Sequence, residues 1–431
     1  MLPFDGTEDV FVWKTWSYGA LNQGVTQLYG VGGSPPTRGL VHWGNRATTV
    51  DYPPMALYEL AIAGAAYRLL VPSFHDSRWL NATMKLLPLV AEAALALLLW
   101  RVVRERYGET ASTWATIAFW ANPAMILAGP LLGYLDPLMA LPAIAAVVAA
   151  ASGWPVAAGV LLSIACLTKV QAVFIAPVVA LAAWTAGRTR SLAALLAGGF
   201  VMSAAILAPF AIAGASRNLL QGIGSLLRHD MLSGDAANLW WIVTYIMRAS
   251  YAVHDLGVWG AWTMTVRILG VSRVVALGYP NPRPVALLIV IGAVLWALWR
   301  VRRTRDLAVL LACAAFVVHA YFVLGVQVHE NHLYLAVPLL AGAAGARHEL
   351  RPLFHGISAV FALNLFLFFG LGRGFPLPPR NATIVDTTVL LALANCVLLI
   401  GHGCRLAGLA RSSGHGANGE RRTADSRQQA G

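Results

Sequence analysis

The chain has 431 residues, 58% hydrophobic and only 12% charged, with a formal net charge of +12 at pH 7. That charge is too sparse to cover a soluble domain of this size, and the mean hydropathy of +0.65 agrees. The basic excess sits in short loops between apolar blocks and in the tail, the positive-inside pattern of membrane proteins rather than a nucleic-acid footprint. The four cysteines, Cys166, Cys313, Cys396 and Cys404, lie in or beside apolar blocks with no CxxC spacing, so neither a disulfide framework nor a zinc site is expected.

The opening stretch, Met1 to Pro54, is polar and has no leading hydrophobic helix. Within it Asp9–Gly19 has amphipathic character, with Val10, Trp13 and Trp16 at helical spacing. Pro54–Leu70 is apolar but carries Tyr58, Glu59, Tyr67 and Arg68, which suits an interfacial helix better than a span. Residues 1–83 therefore read as an outer first loop with two surface helices.

Apolar blocks of roughly membrane-spanning length follow. They are Met84–Trp100, Ser112–Pro130, Pro137–Ala151, Pro155–Leu167, Ala172–Trp184, Leu192–Gly214, Pro284–Trp299, Leu307–Leu324, Leu333–Gly345, Leu353–Leu371 and Ile384–Cys404. Blocks that are apolar all round, such as Leu192–Gly214, exclude the alternation of a barrel and leave helices. The expected fold is all-α: a polytopic bundle of about 11–13 transmembrane helices over 84–404. Within it, 215–283 forms a second outer segment, where Asn238–Val253 and Trp259–Leu277 are re-entrant helices or a pair of weak spans. Residues 405–431 are a basic, Gly/Ser-rich tail expected to be disordered.

The arginines set the orientation. Arg101, Arg104 and Arg106, then Arg188 and Arg190, then Arg300 to Arg305, then Arg347 and Arg351, and finally the tail, all fall on one side if the first loop is outside and Met84–Trp100 is the first crossing. The chain is thus expected in a bacterial plasma membrane with its tail in the cytoplasm.

With that topology the unusual polar residues share the outer face. They are Glu8, Asp9, Asp51 and Tyr52 in the first loop, Gly133 to Asp136 at a helix end, and Lys169 with Gln171 at a turn. In the second outer segment come His229, Asp230, Asp235, Asn238, Trp240 and Trp241, followed by His329, Glu330 and His332. Each has a plainer reading. Asp51 and Asp136 precede prolines and suit helix starts, Lys169 can snorkel, and Glu8–Asp9 can be a solvated pair. His329 and His332 are three apart, which is not the HExxH spacing of a zinc site. Their shared face favours an active site over a transport path, which needs polar groups at full depth. A transporter or lipid flippase is the alternative, and Glu92 is its main support; a lipid-linked polysaccharide polymerase or ligase is a third reading.

The ordered set of an acidic residue before an aromatic-rich helix, Asp51-Tyr52-Pro53-Pro54, Gly133-x-x-Asp136, Lys169-x-Gln171, Ala237-Asn238-Leu239-Trp240 and Val328-His329-Glu330 resembles the GT-C glycosyltransferases. The nearest likeness is to the dolichyl-phosphate-glucose glucosyltransferases and bacterial mannosyltransferase relatives. The resemblance covers residues 1 to about 350 and implies an inverting enzyme. It implies a polyprenyl-phosphate sugar donor, a lipid-linked or glycan acceptor, and mannose or glucose as the transferred hexose. It matches Asp9, beside Glu8, to the catalytic position, and Asp51, Tyr52, Asp136, Lys169, Gln171, Asn238, Trp240, His329 and Glu330 to donor- and substrate-binding positions; His332, next to them, is a further donor-binding candidate. No metal ligand set is implied, and a divalent cation remains open. Two departures stand out. Asn331 and His332 follow His329-Glu330 where the family has a basic residue, and the family has a transmembrane helix ahead of the first loop, so an in-frame apolar stretch upstream is expected.

Overall fold

The computed structural model describes residues 1–30, 40–226, 232–253, 282–378 and 386–428. Among these, seven helices are long and apolar enough to cross a membrane: Arg78–Tyr107, Glu109–Leu132, Val170–Ile212, Arg283–Val301, Leu307–Leu324, His348–Phe369 and Thr387–Arg411. Two shorter apolar helices, Asp136–Ala151 and Pro155–Thr168, accompany them. Every expected apolar block carries a helix, and the all-α membrane architecture read from the sequence holds. The blocks Ala172–Trp184 and Leu192–Gly214 fall on either side of a kink at Gly187 and Arg188, where Arg188 takes φ +52. Trp259–Leu277, His229 and Asp230 lie outside the described residues.

The bundle core is built from Leu307–Leu324 and its neighbours. Val309, Cys313, Ala314, Val317 and Ala320 are fully buried, against Ala143, Ala146, Leu339 and Leu340. Small residues at helix contacts let backbones approach closely where no hydrophobic effect drives helices together in lipid. A second cluster centres on the first loop. There α1 (Glu8–Gln23) packs on α2 (Pro54–Leu70), on the N-terminal part of α3 (Arg78–Tyr107) and on a hairpin of β1 (Val41–Trp43) and β2 (Arg46–Thr48). The hairpin turn is only Gly44 and Asn45, and Gly44 supplies the positive φ of +59 that such a tight loop needs.

α1 differs from the expected surface helix. Val10, Trp13, Lys14, Trp16, Ser17 and Ala20 are all buried, because partners cover it on several sides. α2, at 17 residues, is also held inward: Ser17 Oγ donates to Leu60 O at 2.8 Å, and Glu59 is buried.

Polar residues divide between the two ends of the bundle. At one end the arginine-bearing termini are tied together: Arg106 donates to Ser152 Oγ at 2.6 Å, Tyr107 to Asp306 Oδ1 at 2.5 Å, and Arg347 pairs with Asp306. Arg405 donates to Glu349 O at the same end. The acidic and histidine-bearing turns gather at the other.

Candidate active site

At that other end, five segments distant in sequence converge. The helix Glu109–Leu132 finishes in a π-helical turn, Leu127–Leu132, and the chain then reverses at Gly133 with φ +84. A Cβ at Gly133 would meet Val10 Cγ2 at 2.5 Å and Lys85 Cε at 2.9 Å, so only glycine lets this turn sit against α1. The turn delivers Tyr134 and Asp136. Asp136 opens the next helix, with Pro137 behind it, and its carboxylate lies in the first turn, where the helix dipole favours negative charge.

Lys169 follows Pro155–Thr168 in extended conformation, before the 3₁₀ turn Val170–Ile175. Its Nζ lies 2.8 Å from both Asp136 oxygens, and the two side chains are 4% and 1% exposed. Asn331 Nδ2 adds a third contact to Asp136, at 3.2 Å. The Lys169 ammonium also sits 5.9 Å from the Tyr52 ring centroid. Tyr52 in turn stacks edge-on with Trp13 at 4.9 Å, so its aromatic face is fixed by α1.

Asp9 projects from α1 toward this cluster. Burial pushes its carboxyl up from 3.8 to about 6; the Lys169 charge opposes the rise, and Asp51, Asp136 and Glu8 add to it. Asp51 is likewise raised to about 6, mainly by burial. Glu8, its neighbour in sequence, is solvent-exposed and points elsewhere, to Arg373 at 3.2 Å. The two adjacent carboxylates therefore sit in different environments.

The segment after Val328 completes the site. His332 accepts or donates through both ring nitrogens, Nδ1 with Tyr321 Oη at 2.9 Å and Nε2 with Gln171 Nε2 at 2.5 Å. Burial, then the nearby Lys169 and His329, hold its pKa well below the usual histidine range, so the ring is neutral at pH 7. Among the described residues, the buried Gln171 Oε1 has no hydrogen-bond partner. Glu330 receives Tyr134 Oη at 2.6 Å and is raised by burial to about 8. Its distance to His329 Nδ1 is 3.9 Å, so Tyr134, not His329, is its close partner.

Asn238 and Trp240 serve the backbone. Asn238 Oδ1 accepts from Trp241 N at 2.9 Å, its Nδ2 donates to Phe322 O at 3.2 Å, and Trp240 Nε1 donates to Leu324 O at 2.8 Å. They dock the helix Leu239–Val253 on the C-terminal end of Leu307–Leu324. Beside them, β3 (Ser233–Gly234) pairs in parallel with β4 (Val328–His329), fixing the entry to His329. Among the described residues, no three His, Cys, Asp or Glu side chains are grouped closely enough to hold a metal ion.

Sequence reasoning gave no place at the site to two groups, Lys85 and Glu59. Lys85 lies beneath the site, donating to Phe4 O at 2.9 Å and Leu131 O at 2.5 Å, and so ties the N-terminal segment to the π-helical turn. Glu59 accepts from Thr168 Oγ1 at 2.9 Å, next to Lys169. The available signal for both was a charge inside an apolar block, Lys85 in Met84–Trp100 beside Glu92 and Glu59 in Pro54–Leu70 beside Arg68.

Three solved structures of the Archaeoglobus fulgidus oligosaccharyltransferase are similar to this chain. The one tethered with an acceptor peptide containing the NVT sequon has 16% identity and TM-score 0.41, covering 94% of this chain and 51% of that one. The one in complex with an inhibitory peptide and a dolichol-phosphate has 14% identity and TM-score 0.42, covering 95% and 52%. The apo form has 14% identity and TM-score 0.41, covering 94% and 52%. The chain spans about half the length of these proteins. No protein-family model matches the chain, and no curated protein matches it.

Proposed function

We propose that the chain is an integral-membrane, inverting glycosyltransferase that moves a hexose, mannose or glucose, from a polyprenyl-phosphate donor to a lipid-linked glycan or other acceptor on the outer membrane face. The observation that carries this reading is the half-buried Asp9 carboxylate, close enough to Lys169 and Asp136 to feel both charges at the polar end of the bundle. A carboxyl with pKa near 6 is mostly ionised at pH 7 yet basic enough to accept a proton.

In the reaction, Asp9 takes the proton of the acceptor hydroxyl as its oxygen attacks the anomeric carbon. The carbon–oxygen bond to phosphate breaks, and its electron pair leaves with the polyprenyl phosphate. Lys169, anchored by Asp136, contributes a fixed positive charge toward the departing phosphate, and it acts strongly because water is largely excluded. His329 is the second candidate for that contact; neutral His332 positions Gln171 instead. Tyr52 offers an aromatic face to sugar or lipid.

A transporter reading draws support from polar groups inside the bundle. Tyr334 Oη donates to Glu92 at 2.8 Å, and His319 lies 3.3 Å from His402. These groups are 4% exposed or less and engage one another, which suits structural clusters better than a path. The test is radiolabelled hexose transfer from polyprenyl-phosphate mannose and glucose in isolated membranes, run beside uptake of the free sugars. Transfer that Asp9→Asn abolishes supports the enzyme; uptake without transfer contradicts it.

A further inference from the structure

On the far side of α1 from Asp9, an open cleft of about 570 Å³ is lined by Asp5, Thr7, Phe11, Lys14, Trp43, Asn45, Asp76 and Arg373 among others. That volume lies within the range of small-molecule sites, roughly 300–1,000 Å³. Helical spacing puts Thr7, Phe11 and Lys14 on one side of α1, with Asp9, Trp13 and Trp16 on the other. The cleft is thus separate from the candidate active site, yet it opens at the same polar end, beside the start of α3.

The lining defines the ligand chemistry. Trp43 and Phe11 form an aromatic wall, with ring centroids 5.5 Å apart and planes inclined at 31°. Two cations, Lys14 and Arg373, balance two carboxylates, Asp5 and Asp76. Lys14 is already 2.8 Å from Asp76, and Arg373 pairs with Glu8. Asp5 accepts from Asn81 Nδ2 at 2.8 Å, so each lining charge already has a partner, and a wall of equal and opposite charges offers a phosphate or nucleotide no net attraction. The same wall supplies donors and acceptors beside an aromatic face, and exposed Asn45 adds an amide at the hairpin tip. A neutral polyhydroxylated ring, with one apolar face and hydroxyls around its edge, matches this lining.

We infer that this cleft is a saccharide-binding site that holds neutral sugar units of the acceptor remote from the reacting hydroxyl. The acceptor role rests on the transferase reading above; the saccharide binding itself does not.

The experiment is direct binding of maltotriose, mannotriose and cellotriose to the full chain in nanodiscs, by saturation-transfer NMR and titration, without any donor. Wild type and Asp9→Asn are expected to bind at least one trisaccharide equally. Trp43→Ala should weaken that binding roughly tenfold or more. Asn45→Ala, at an exposed turn that carries no packing, should weaken it several-fold and decides the matter if Trp43→Ala does not fold. Binding that survives both cleft substitutions, binding lost in Asp9→Asn, or no binding of any of the three by wild type up to about 10 mM overturns the inference. Transfer measured in parallel keeps the two proposals apart: absent transfer with cleft-dependent binding removes only the enzyme reading.

Discussion

Lys169 Nζ lies 2.8 Å from each carboxylate oxygen of Asp136, and neither side chain reaches solvent. The pair joins a helix start to a helix end 33 residues later and gives the polar end of the bundle a fixed charge distribution. Breaking one partner of a buried pair leaves an uncompensated charge, which costs about 3–5 kcal/mol. Lys169→Met is therefore expected to lower the thermal unfolding temperature in detergent sharply. Combined Asp136→Asn and Lys169→Met should recover much of that stability but none of the transfer activity.

The Asp9 carboxyl is raised by burial from 3.8 to about 6, so the base proposed here would be protonated and inactive below that pH. kcat/KM is expected to fall about tenfold per pH unit below 6 and to level off above it. Asp9→Asn should remove this acid limb along with about 10²–10⁴-fold of the rate. A profile that keeps its limb in Asp9→Asn assigns the base elsewhere.

Glu8 and Arg373 form an exposed pair at 3.2 Å, and such pairs contribute about 0–1 kcal/mol. Glu8→Gln should leave stability nearly unchanged and transfer within about threefold of wild type. A loss as large as that of Asp9→Asn would exchange the roles of the two carboxylates.

Asn238 caps the helix Leu239–Val253 through Trp241 N at 2.9 Å and reaches Phe322 O at 3.2 Å. Asn238→Ala removes a cap and strands a buried carbonyl, an expected loss of about 1–3 kcal/mol. Thermal unfolding checks it, and a stability equal to wild type would contradict this structural role.

The sequence announced its helices well because spanning lipid imposes a length and an apolar composition that nothing else in the chain mimics. The kink at Gly187 and Arg188 was legible in the same way, as a polar break between two apolar blocks. The gathering of Asp9, Asp136, Lys169, Gln171 and His332 at one end followed from the arginine pattern. Their pairings did not, because Asp136 with Lys169 and Gln171 with His332 depend on side-chain geometry across different helices. Asp9 and Glu8 are adjacent carboxylates in sequence, and only the packing of α1 separates a half-buried one from an exposed one. The hairpin at Val41–Thr48 went unread although Gly44-Asn45 is a turn signal, since its strands are three residues each. His319 and His402, 83 residues apart, gave no periodic cue to their meeting.

The most direct test of the central claim is transfer of radiolabelled mannose or glucose from a polyprenyl-phosphate donor by membranes holding the wild-type chain, Asp9→Asn or Lys169→Met. The account predicts label in a lipid-linked or glycan product with wild type, and loss of at least about 100-fold with Asp9→Asn. Undiminished transfer by Asp9→Asn, or no transfer by wild type from either donor, would contradict it.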